Sequence, residues 1–382
     1  GGNHAAVHVE HQVLRWLRDL LGFPAEAAGL LVSGGSMASL TGLAVARHVA
    51  MREAGVDARA QGLQGAGRPF VLYVGEEGHS CLGKAAELLG IGSDHVRTVP
   101  SDDRRRMRPD ALEERITRDL DGGAVPIAVA ASAGTVNTGA IDPLHEIAGV
   151  CARHRVWLHV DAAYGGPAIL SPRTRPELEP LARADSVALD PHKWLYVPLE
   201  AGLILVRDGR AMREAFSTVP PYLRTDGNVG GVGGPPWFSE FGFQQSRGFR
   251  ALKVWMCLRC FGLEGYRELI EHDLDMAAHL AGRVEAHPDL ELAASGLSIV
   301  CFRYRPAGGH GELDDLNRAL LTELQLSGRA FLTSTVLDGR FVLRACFVNP
   351  GTTTDDVDAL VRAVTEIGAG RLGGSSPPTP LS

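Results

Sequence analysis

The sequence has little that would suggest a membrane, secreted or nucleic-acid-binding protein. No apolar run approaches the roughly 18 residues of a membrane-spanning helix, and the first residues lack the charged and apolar segments of a secretory signal. Acidic residues outnumber basic ones by 45 to 38, so the chain has no general excess of positive charge for a phosphate backbone. We therefore expect a cytoplasmic protein that binds neither membranes nor nucleic acid.

Cysteines are few and scattered, which argues against a disulfide framework. Only Cys257 and Cys260 lie close together, at a spacing that redox and zinc motifs also use. They fall within a helical pattern and lack a second pair of ligands. We expect buried thiols and no metal site.

Apolar segments alternate with amphipathic ones along most of the chain. Apolar stretches at 69–75, 125–132 and 156–163 predict strands, and the segments between them have the apolar spacing of helices. Two further strands, at 186–191 and 202–207, are expected to form a hairpin-like pair. Strands that alternate with helices predict βαβ units and a mainly parallel sheet, so the fold class is α/β.

Composition also predicts a domain organisation. Residues 1–255 are expected to form a large domain around the parallel sheet, and residues 256–370 a smaller α+β domain in which 291–306 is a single strand. The segment 217–246 is rich in Gly and Pro and lacks periodicity, which predicts a mobile loop. The tail, 371–382, is predicted to be disordered.

Two polar side chains follow predicted strands at the point where each strand ends. Asp161 follows the apolar segment VWLHV, and Lys193 follows SVALD within DPHKW. Ligands of parallel α/β sheets collect outside the carboxyl ends of the strands. Because His192 and Trp194 flank Lys193, we expect them to desolvate its amine, which would lower the pKa and make the amine nucleophilic towards a carbonyl.

The segment SGGSMAS precedes a helix predicted from about Ser36 to Glu53. A glycine turn at a helix N-terminus offers backbone N–H groups and the positive end of the helix dipole to a phosphate. A lysine for an aldehyde, a carboxylate for a pyridine nitrogen and an anion-binding turn are the three groups that pyridoxal 5'-phosphate (PLP) requires. Their order along the chain therefore predicts a PLP site.

The motifs resemble those of the group II PLP-dependent amino acid decarboxylases, which include aromatic amino acid, glutamate, histidine and cysteine sulfinate decarboxylases. The resemblance extends over nearly the whole chain, through SGGSMASL, GHSCLGKAAELLG, SAGTVNTGAIDP, HVDAAYGGPA, ADSVALDPHKWLYVP and RGFRALKVW. It implies fold type I, the aspartate aminotransferase architecture, and a homodimer with active sites at the interface. It also implies that the natural chain begins further upstream.

The resemblance implies a role for each matching residue. Lys193 resembles the Schiff-base lysine, Asp161 the partner of the pyridine nitrogen, and His79 the imidazole that stacks on the cofactor. Thr135 resembles the residue at the polar edge of the ring, and Ala163 lines its other face. Four positions correspond to the surroundings of the phosphate: Gly35, Ser36, Ser186 and His192.

The chain departs from the family pattern at two positions. Asp190 stands where several relatives have Asn beside the phosphate, and a carboxylate there repels an anion unless it is bonded elsewhere. An ungapped count back from RGFRALK places Phe238 where aromatic amino acid decarboxylases have the tyrosine that protonates the α-carbon. Phenylalanine cannot donate a proton, and that replacement accompanies aldehyde synthase activity in plant relatives. Alternatively, the loop alignment has slipped and Tyr222 is the donor.

The substrate is open between several classes. Four aromatic residues lie near the end of the loop: Trp237, Phe238, Phe241 and Phe243. They either form one wall of a pocket for an aromatic substrate or anchor the loop against the body of the protein. Arg247 and Arg250 either bind an acidic substrate or form structural ion pairs. Aromatic amino acids are favoured over acidic or diamino acids. An aminotransferase is the alternative outside the decarboxylases, with Arg344 as its candidate for the substrate carboxylate.

Overall fold

The computed structural model describes residues 4–218, 237–307 and 313–372. The chain divides into two compact units. The first comprises residues 1–136 and 141–266, and the second comprises residues 137–140 and 267–382.

A seven-stranded sheet forms the centre of the first unit. Its strands are β1 (Ala28–Val32), β2 (Phe70–Gly75), β3 (Val96–Val99), β4 (Val125–Ser132), β5 (Trp157–Asp161), β6 (Ser186–Leu189) and β7 (Gly202–Val206). Their order is β1-β7-β6-β5-β4-β2-β3, and only β7 runs antiparallel to its neighbours. The predicted α/β fold with a mainly parallel sheet is confirmed, and so is the antiparallel pair of β6 and β7.

The helices of this unit precede, separate and follow the strands, and the short ones at 58–61, 175–178 and 209–216 were not predicted from the sequence. They are α1 (Ala5–Leu20), α2 (Gly35–Glu53), α3 (Ala58–Gln61), α4 (Cys81–Leu88), α5 (Pro109–Asp121), α6 (Leu144–His154), α7 (Arg175–Leu178), α8 (Gly209–Phe216) and the first part of α9 (Arg250–Glu285). The strands β6 and β7 are buried throughout, which explains why Ser186 is their only residue with a polar side chain.

Strand β1 is an element that the apolar pattern did not define. The sequence suggested only an apolar segment before the glycine turn, whereas residues 28–32 pair with β7 along their whole length. A Cβ atom on Gly29 would lie 2.6 Å from the carbonyl oxygen of Ile204, so glycine permits the close approach of the two strands. Residues 28–32 are recognised as a strand only through their partner β7, which is distant in sequence.

The second unit contains a four-stranded antiparallel sheet in the order β10-β11-β9-β8. Its elements, beside the remainder of α9, are β8 (Leu290–Gly296), β9 (Ile299–Tyr304), α10 (Leu313–Leu326), β10 (Thr333–Leu337), β11 (Arg340–Cys346) and α11 (Thr354–Leu372). The single strand predicted for 291–306 is wrong, because the chain reverses at Leu297, where φ is 47°. Leucine rarely adopts this left-handed conformation, and the Ser295-Gly296 dipeptide before it was the available turn signal.

Two further predictions concern membrane-spanning helices and the burial of the cysteines. In the described part of the chain, no helix is long and apolar enough to cross a membrane. The expectation of buried thiols is wrong for Cys260, which is exposed on α9, while Cys257 is partly buried. The same helix exposes several large apolar side chains, so its periodicity does not mark a single buried face.

Candidate active site

Strands β4, β5 and β6 end side by side at one edge of the sheet. In the register of the sheet, Asp161 pairs with Ser132 on one side and with Ala188 on the other. The Asp161 side chain is half-buried, and its Oδ1 accepts a hydrogen bond from the backbone N–H of Ala163 (3.1 Å). The strand end therefore holds a carboxylate at this edge in a defined orientation.

Lys193 lies in a tight turn that follows β6. Its backbone N–H donates to the carbonyl oxygen of Asp190 (2.9 Å), and its Nζ lies 3.0 Å from Asp190 Oδ2. Trp194 is fully buried and stacks on Tyr164, with the ring centroids 4.9 Å apart. This stacking ties the lysine turn to the segment that follows Asp161.

The expectation that neighbouring side chains desolvate Lys193 is wrong within this chain. The Lys193 side chain is 43% exposed. Trp194 points into the core, and His192 accepts a hydrogen bond through Nδ1 from the backbone N–H of Ala201 (2.9 Å). Both neighbours are thus committed elsewhere, and the amine is accessible to a carbonyl compound.

The first turn of α2 packs against the lysine turn. A Cβ atom on Gly35 would lie 2.8 Å from Asp190 Oδ2 and 3.0 Å from the Cβ of Ala163, and one on Gly202 would lie 2.4 Å from Gly34 Cα. Glycine is needed for these approaches. The first N–H groups of a helix have no intrahelical partner, and the helix dipole is positive at this end. The turn can therefore bind an anion beside Lys193.

Ser36 and His79 both contact Cys81, at the start of α4. The hydroxyls of Ser36 and Ser39 lie near the Cys81 thiol and favour its ionised form, and the backbone N–H of Cys81 donates to Nδ1 of His79 (3.1 Å). His79 is half-buried and, when neutral, carries its proton on Nε2, because Nδ1 acts as an acceptor. Burial raises the pKa of Cys81 to about 11, so this residue is a neutral thiol near neutral pH.

Thr135 and Ala163 are buried, at 2% and 5% exposure. The segment before Thr135 is bonded to the loop after β5, because Ala133 donates to the carbonyl oxygen of Asp161 (2.8 Å) and accepts from Gly165 (3.1 Å). Ala163 accepts from the backbone N–H of Asp190 (3.2 Å). Ala163 therefore links the strand end of β5 to the lysine turn.

Ser186 does not join this group. It lies at the amino end of β6, whereas Lys193 follows the carboxyl end of the same strand. Ser186 is fully buried, and its hydroxyl bonds with Trp157 Nε1 (2.8 Å) and with His159 Nδ1 (2.9 Å). The expectation that Ser186 lies near a phosphate is therefore corrected: its hydroxyl satisfies buried polar groups inside the sheet.

Two residues of the site were missed or undervalued from the sequence. Asp190 is only 2% exposed and contacts Lys193, so it belongs to the centre of the site. Its position three residues before the lysine was the available signal. Cys81 lies beside Ser36, and its pKa responds to the charges of Asp161 and Lys193, but a lone cysteine at a helix start gave no signal.

Phe238 is packed against the body of the first unit. It is 8% exposed, stacks on His11 with ring centroids 4.6 Å apart, and lies under the Arg247 guanidinium at 5.0 Å. These contacts favour the anchoring interpretation for Phe238 over a substrate wall, whereas Phe243 is 89% exposed. Tyr222 and most of the predicted loop, 219–236, lie outside the described residues.

The candidate arginines for an acidic substrate take part in protein contacts. Arg247 forms a bidentate pair with Glu10, and Arg250 Nε donates to Glu200 (3.0 Å). In the second unit, Arg344 Nε donates to the carbonyl oxygen of Asn137 (3.1 Å). All three guanidinium groups thus have structural partners.

Comparison with known proteins defines the family to which the chain belongs. Residues 3–305 match the model of the pyridoxal-dependent decarboxylase conserved domain. The chain is 36% identical over 355 residues to an aromatic-L-amino-acid decarboxylase of Bacillus atrophaeus (92% of this chain, 71% of the relative). It is 36% identical over 362 residues to an L-2,4-diaminobutyrate decarboxylase of Rhizobium meliloti strain 1021 (94% and 70%). It is 29% identical over 372 residues to a phenylacetaldehyde synthase of Arabidopsis thaliana (95% and 74%).

A solved structure of Oryza sativa TDC with PLP and tryptamine superposes with a TM-score of 0.88 at 30% identity, over 96% of this chain and 76% of that one. The chain belongs to the pyridoxal-dependent decarboxylase family. It is a PLP-dependent amino acid decarboxylase of fold type I. The site fits that cofactor, because an accessible amine, a carboxylate and an anion-binding glycine turn meet at one edge of the sheet.

Proposed function

We propose that Lys193 carries PLP and that the edge formed by β4, β5 and β6 is the active site. The observation that carries this proposal is the junction of three elements: the lysine turn, the first turn of α2 and the strand end at Asp161 contact one another through Ala163 and Asp190. When bound, PLP accepts the electron pair that remains at the substrate α-carbon after carbon dioxide leaves.

Each residue has a defined task in this proposal. Asp161, whose carboxylate is held by the N–H of Ala163, keeps a proton on the pyridine nitrogen. The N–H groups of Gly35 and Ser36 bind the phosphate, and the Nε2–H of His192 adds a donor on the same side. His79 stacks on the ring, with Nδ1 fixed by Cys81. Thr135 and Ala163 border the ring at its edge and its other face.

We propose an aromatic amino acid as the substrate. The ion pairs of Arg247 and Arg250 remove the two cations that an acidic substrate would need, and the Bacillus atrophaeus relative acts on aromatic L-amino acids by its name. The diaminobutyrate decarboxylase is equally similar, so a diamino acid is the alternative. An aminotransferase is disfavoured because Arg344 bonds a backbone carbonyl.

We propose that the product is the amine. An aldehyde synthase was considered because Phe238 aligned with the tyrosine that protonates the α-carbon in aromatic amino acid decarboxylases. Because Phe238 packs against His11, we assign it as an anchor of the loop and not as the counterpart of that tyrosine. The deciding experiment incubates the PLP-loaded protein with aromatic, acidic and diamino acids and quantifies amine, aldehyde and peroxide together. Amine from an aromatic amino acid, without a keto acid acceptor, supports the proposal. Stoichiometric aldehyde and peroxide contradict it.

We further propose a cytoplasmic homodimer. The first half of α9 exposes large apolar side chains, among them Leu252, Met256 and Phe261 at 42%, 56% and 49%. A surface patch of this kind marks an interaction site. Met256→Glu should shift the protein from dimer to monomer in analytical ultracentrifugation, whereas Leu326→Glu, at an exposed site in the second unit, should not. Cell fractionation tests the location.

A further inference from the structure

The carboxyl group of Asp190 is enclosed at the centre of the site. It is 2% exposed; its Oδ2 lies 3.0 Å from Lys193 Nζ and 3.7 Å from His192 Nε2. Its Oδ1 is buried and has no hydrogen-bond partner among the described residues. Burial raises the pKa of this carboxyl, although the charges of Lys193 and His192 oppose the shift, and the nearby carboxylate of Asp161 adds to it.

The same carboxyl group faces the first turn of α2. A Cβ atom on Gly35 would lie 2.8 Å from Oδ2, and one on Gly34 would lie 4.0 Å from Oδ1. The first turn of α2 contains no acidic residue and presents backbone to Asp190. The titratable groups with the largest effect on the pKa of Asp190 are Lys193, His192 and Asp161.

Cofactor loading removes the main reason for Asp190 to be ionised. The Lys193 nitrogen, its nearest cation, becomes bonded to the cofactor, and the phosphate brings a charge of about −1.5 to −2 to the facing helix turn. A buried carboxylate that loses its cation and gains an anionic neighbour is strongly destabilised, and such a group takes up a proton instead. An unpaired Oδ1 is already available for that proton.

We propose that Asp190 binds the phosphate of PLP as a neutral carboxylic acid, which retains in the site the proton that the Lys193 ammonium gives up when its nitrogen bonds to the cofactor. The new O–H bond on the carboxyl donates a hydrogen bond to a phosphate oxygen, as the amide of Asn would do without a proton. The inference rests on the proposed function, because it assumes that Lys193 carries PLP and that α2 holds its phosphate. As pH rises, the affinity of the wild-type chain for PLP should therefore fall relative to that of a variant that lacks this carboxyl group.

The experiment measures the dissociation constant of PLP between about pH 6 and pH 9 for the wild-type chain and for Asp190→Asn, by absorbance titration of the cofactor-free protein. The ionisation of the cofactor phosphate is common to both proteins and cancels in the ratio, and Asp190→Ser controls for the effect on Lys193 and His192 of losing the Asp190 charge. We expect the wild-type to variant ratio of dissociation constants to increase with pH, by up to tenfold per unit, because one extra proton is bound.

Titration calorimetry in buffers of different ionisation enthalpy counts the protons directly. Wild type should take up about one proton more than Asp190→Asn, and Asp190→Ser, also neutral, should match Asp190→Asn. Asp185→Asn is the matched control: Asp185 is a partly buried carboxylate that precedes the amino end of β6, and burial raises its pKa too. That variant should behave as wild type.

The two proposals fail in different ways. Equal pH dependence and equal proton uptake in wild type and Asp190→Asn, with PLP still attached to Lys193 in both, would overturn the inference and leave the function intact. Attachment of PLP to another residue would overturn the proposed function first.

Discussion

The carboxylate of Glu10 and the guanidinium of Arg247 form a buried ion pair, with Nη1 to Oε1 at 2.8 Å and side chains 7% and 9% exposed. Glu10 Oε1 also accepts from the backbone N–H of Leu31 (3.0 Å), and Arg247 donates to the carbonyl oxygen of Leu31 (2.9 Å). The pair therefore joins α1, β1 and the segment that precedes α9. The Arg247 guanidinium is therefore engaged within the fold and is not available to an acidic substrate.

Removal of this arginine should destabilise the protein. Arg247→Ala leaves the Glu10 charge buried and unpaired, which typically costs about 3–5 kcal/mol. Arg153→Ala removes an ion pair to Glu113 in which both side chains are more than a third exposed, and should cost at most about 1 kcal/mol. Denaturant unfolding at one PLP concentration measures both. Wild-type stability of Arg247→Ala together with a raised KM would instead indicate substrate binding.

Phe238 gives a second prediction, on the reaction product. Its ring packs between His11 and Arg247, so a hydroxyl in Phe238→Tyr should remain at the anchor. We expect the ratio of amine to aldehyde and peroxide to stay at its wild-type value. Phe243→Tyr, at an exposed position of the same segment, is the control for a general effect of an added hydroxyl. A large shift from aldehyde to amine in Phe238→Tyr would show that the ungapped count was correct.

His159 predicts a loss of stability in acid. Burial lowers its pKa to about 4, opposed by the charge of Asp161. The folded state favours the neutral ring of His159. Its contribution to the free energy of unfolding is therefore fully present above the ordinary pKa of about 6.5 and declines as pH falls towards 4. Between pH 7 and pH 5 the loss should be about 2 kcal/mol.

The matched variant for this prediction is His159→Asn, which keeps a polar atom near Ser186 without a group that titrates there. The free energy of unfolding, measured in denaturant at the two pH values, should fall less in the variant than in wild type. Equal losses would mean that the acid sensitivity comes from other groups.

The parallel sheet made much of the site predictable. Parallel strands end at the same edge, so Asp161 and Lys193 could be placed together from their positions after two apolar segments. The same logic fails for Ser186, because motif resemblance ignores which end of a strand a residue occupies. The extent to which Lys193 is exposed was also unpredictable, since it depends on the long-range stacking of Trp194 on Tyr164.

Elements defined by distant partners were likewise inaccessible to pattern analysis. Strand β1 needs β7, and the reversal at Leu297 uses a conformation that leucine rarely adopts. The importance of Asp190 became clear from its three-dimensional contacts, because sequence alone showed only its position before Lys193 and its departure from the family pattern. Local periodicity predicts elements well, whereas strand pairing and side-chain direction require the assembled fold.

The attachment of PLP to Lys193 is the central claim, and the chain allows a direct test because it contains only three lysines, Lys84, Lys193 and Lys253. The PLP-loaded protein is reduced with borohydride, digested and analysed by mass spectrometry for the peptide that retains the cofactor. We predict that the wild-type protein carries the label on Lys193. Lys193→Ala should lose both the label and the absorbance band near the visible edge, whereas Lys84→Ala and Lys253→Ala should retain them. A label on Lys84 or Lys253, or full decarboxylase activity of Lys193→Ala, would contradict the account.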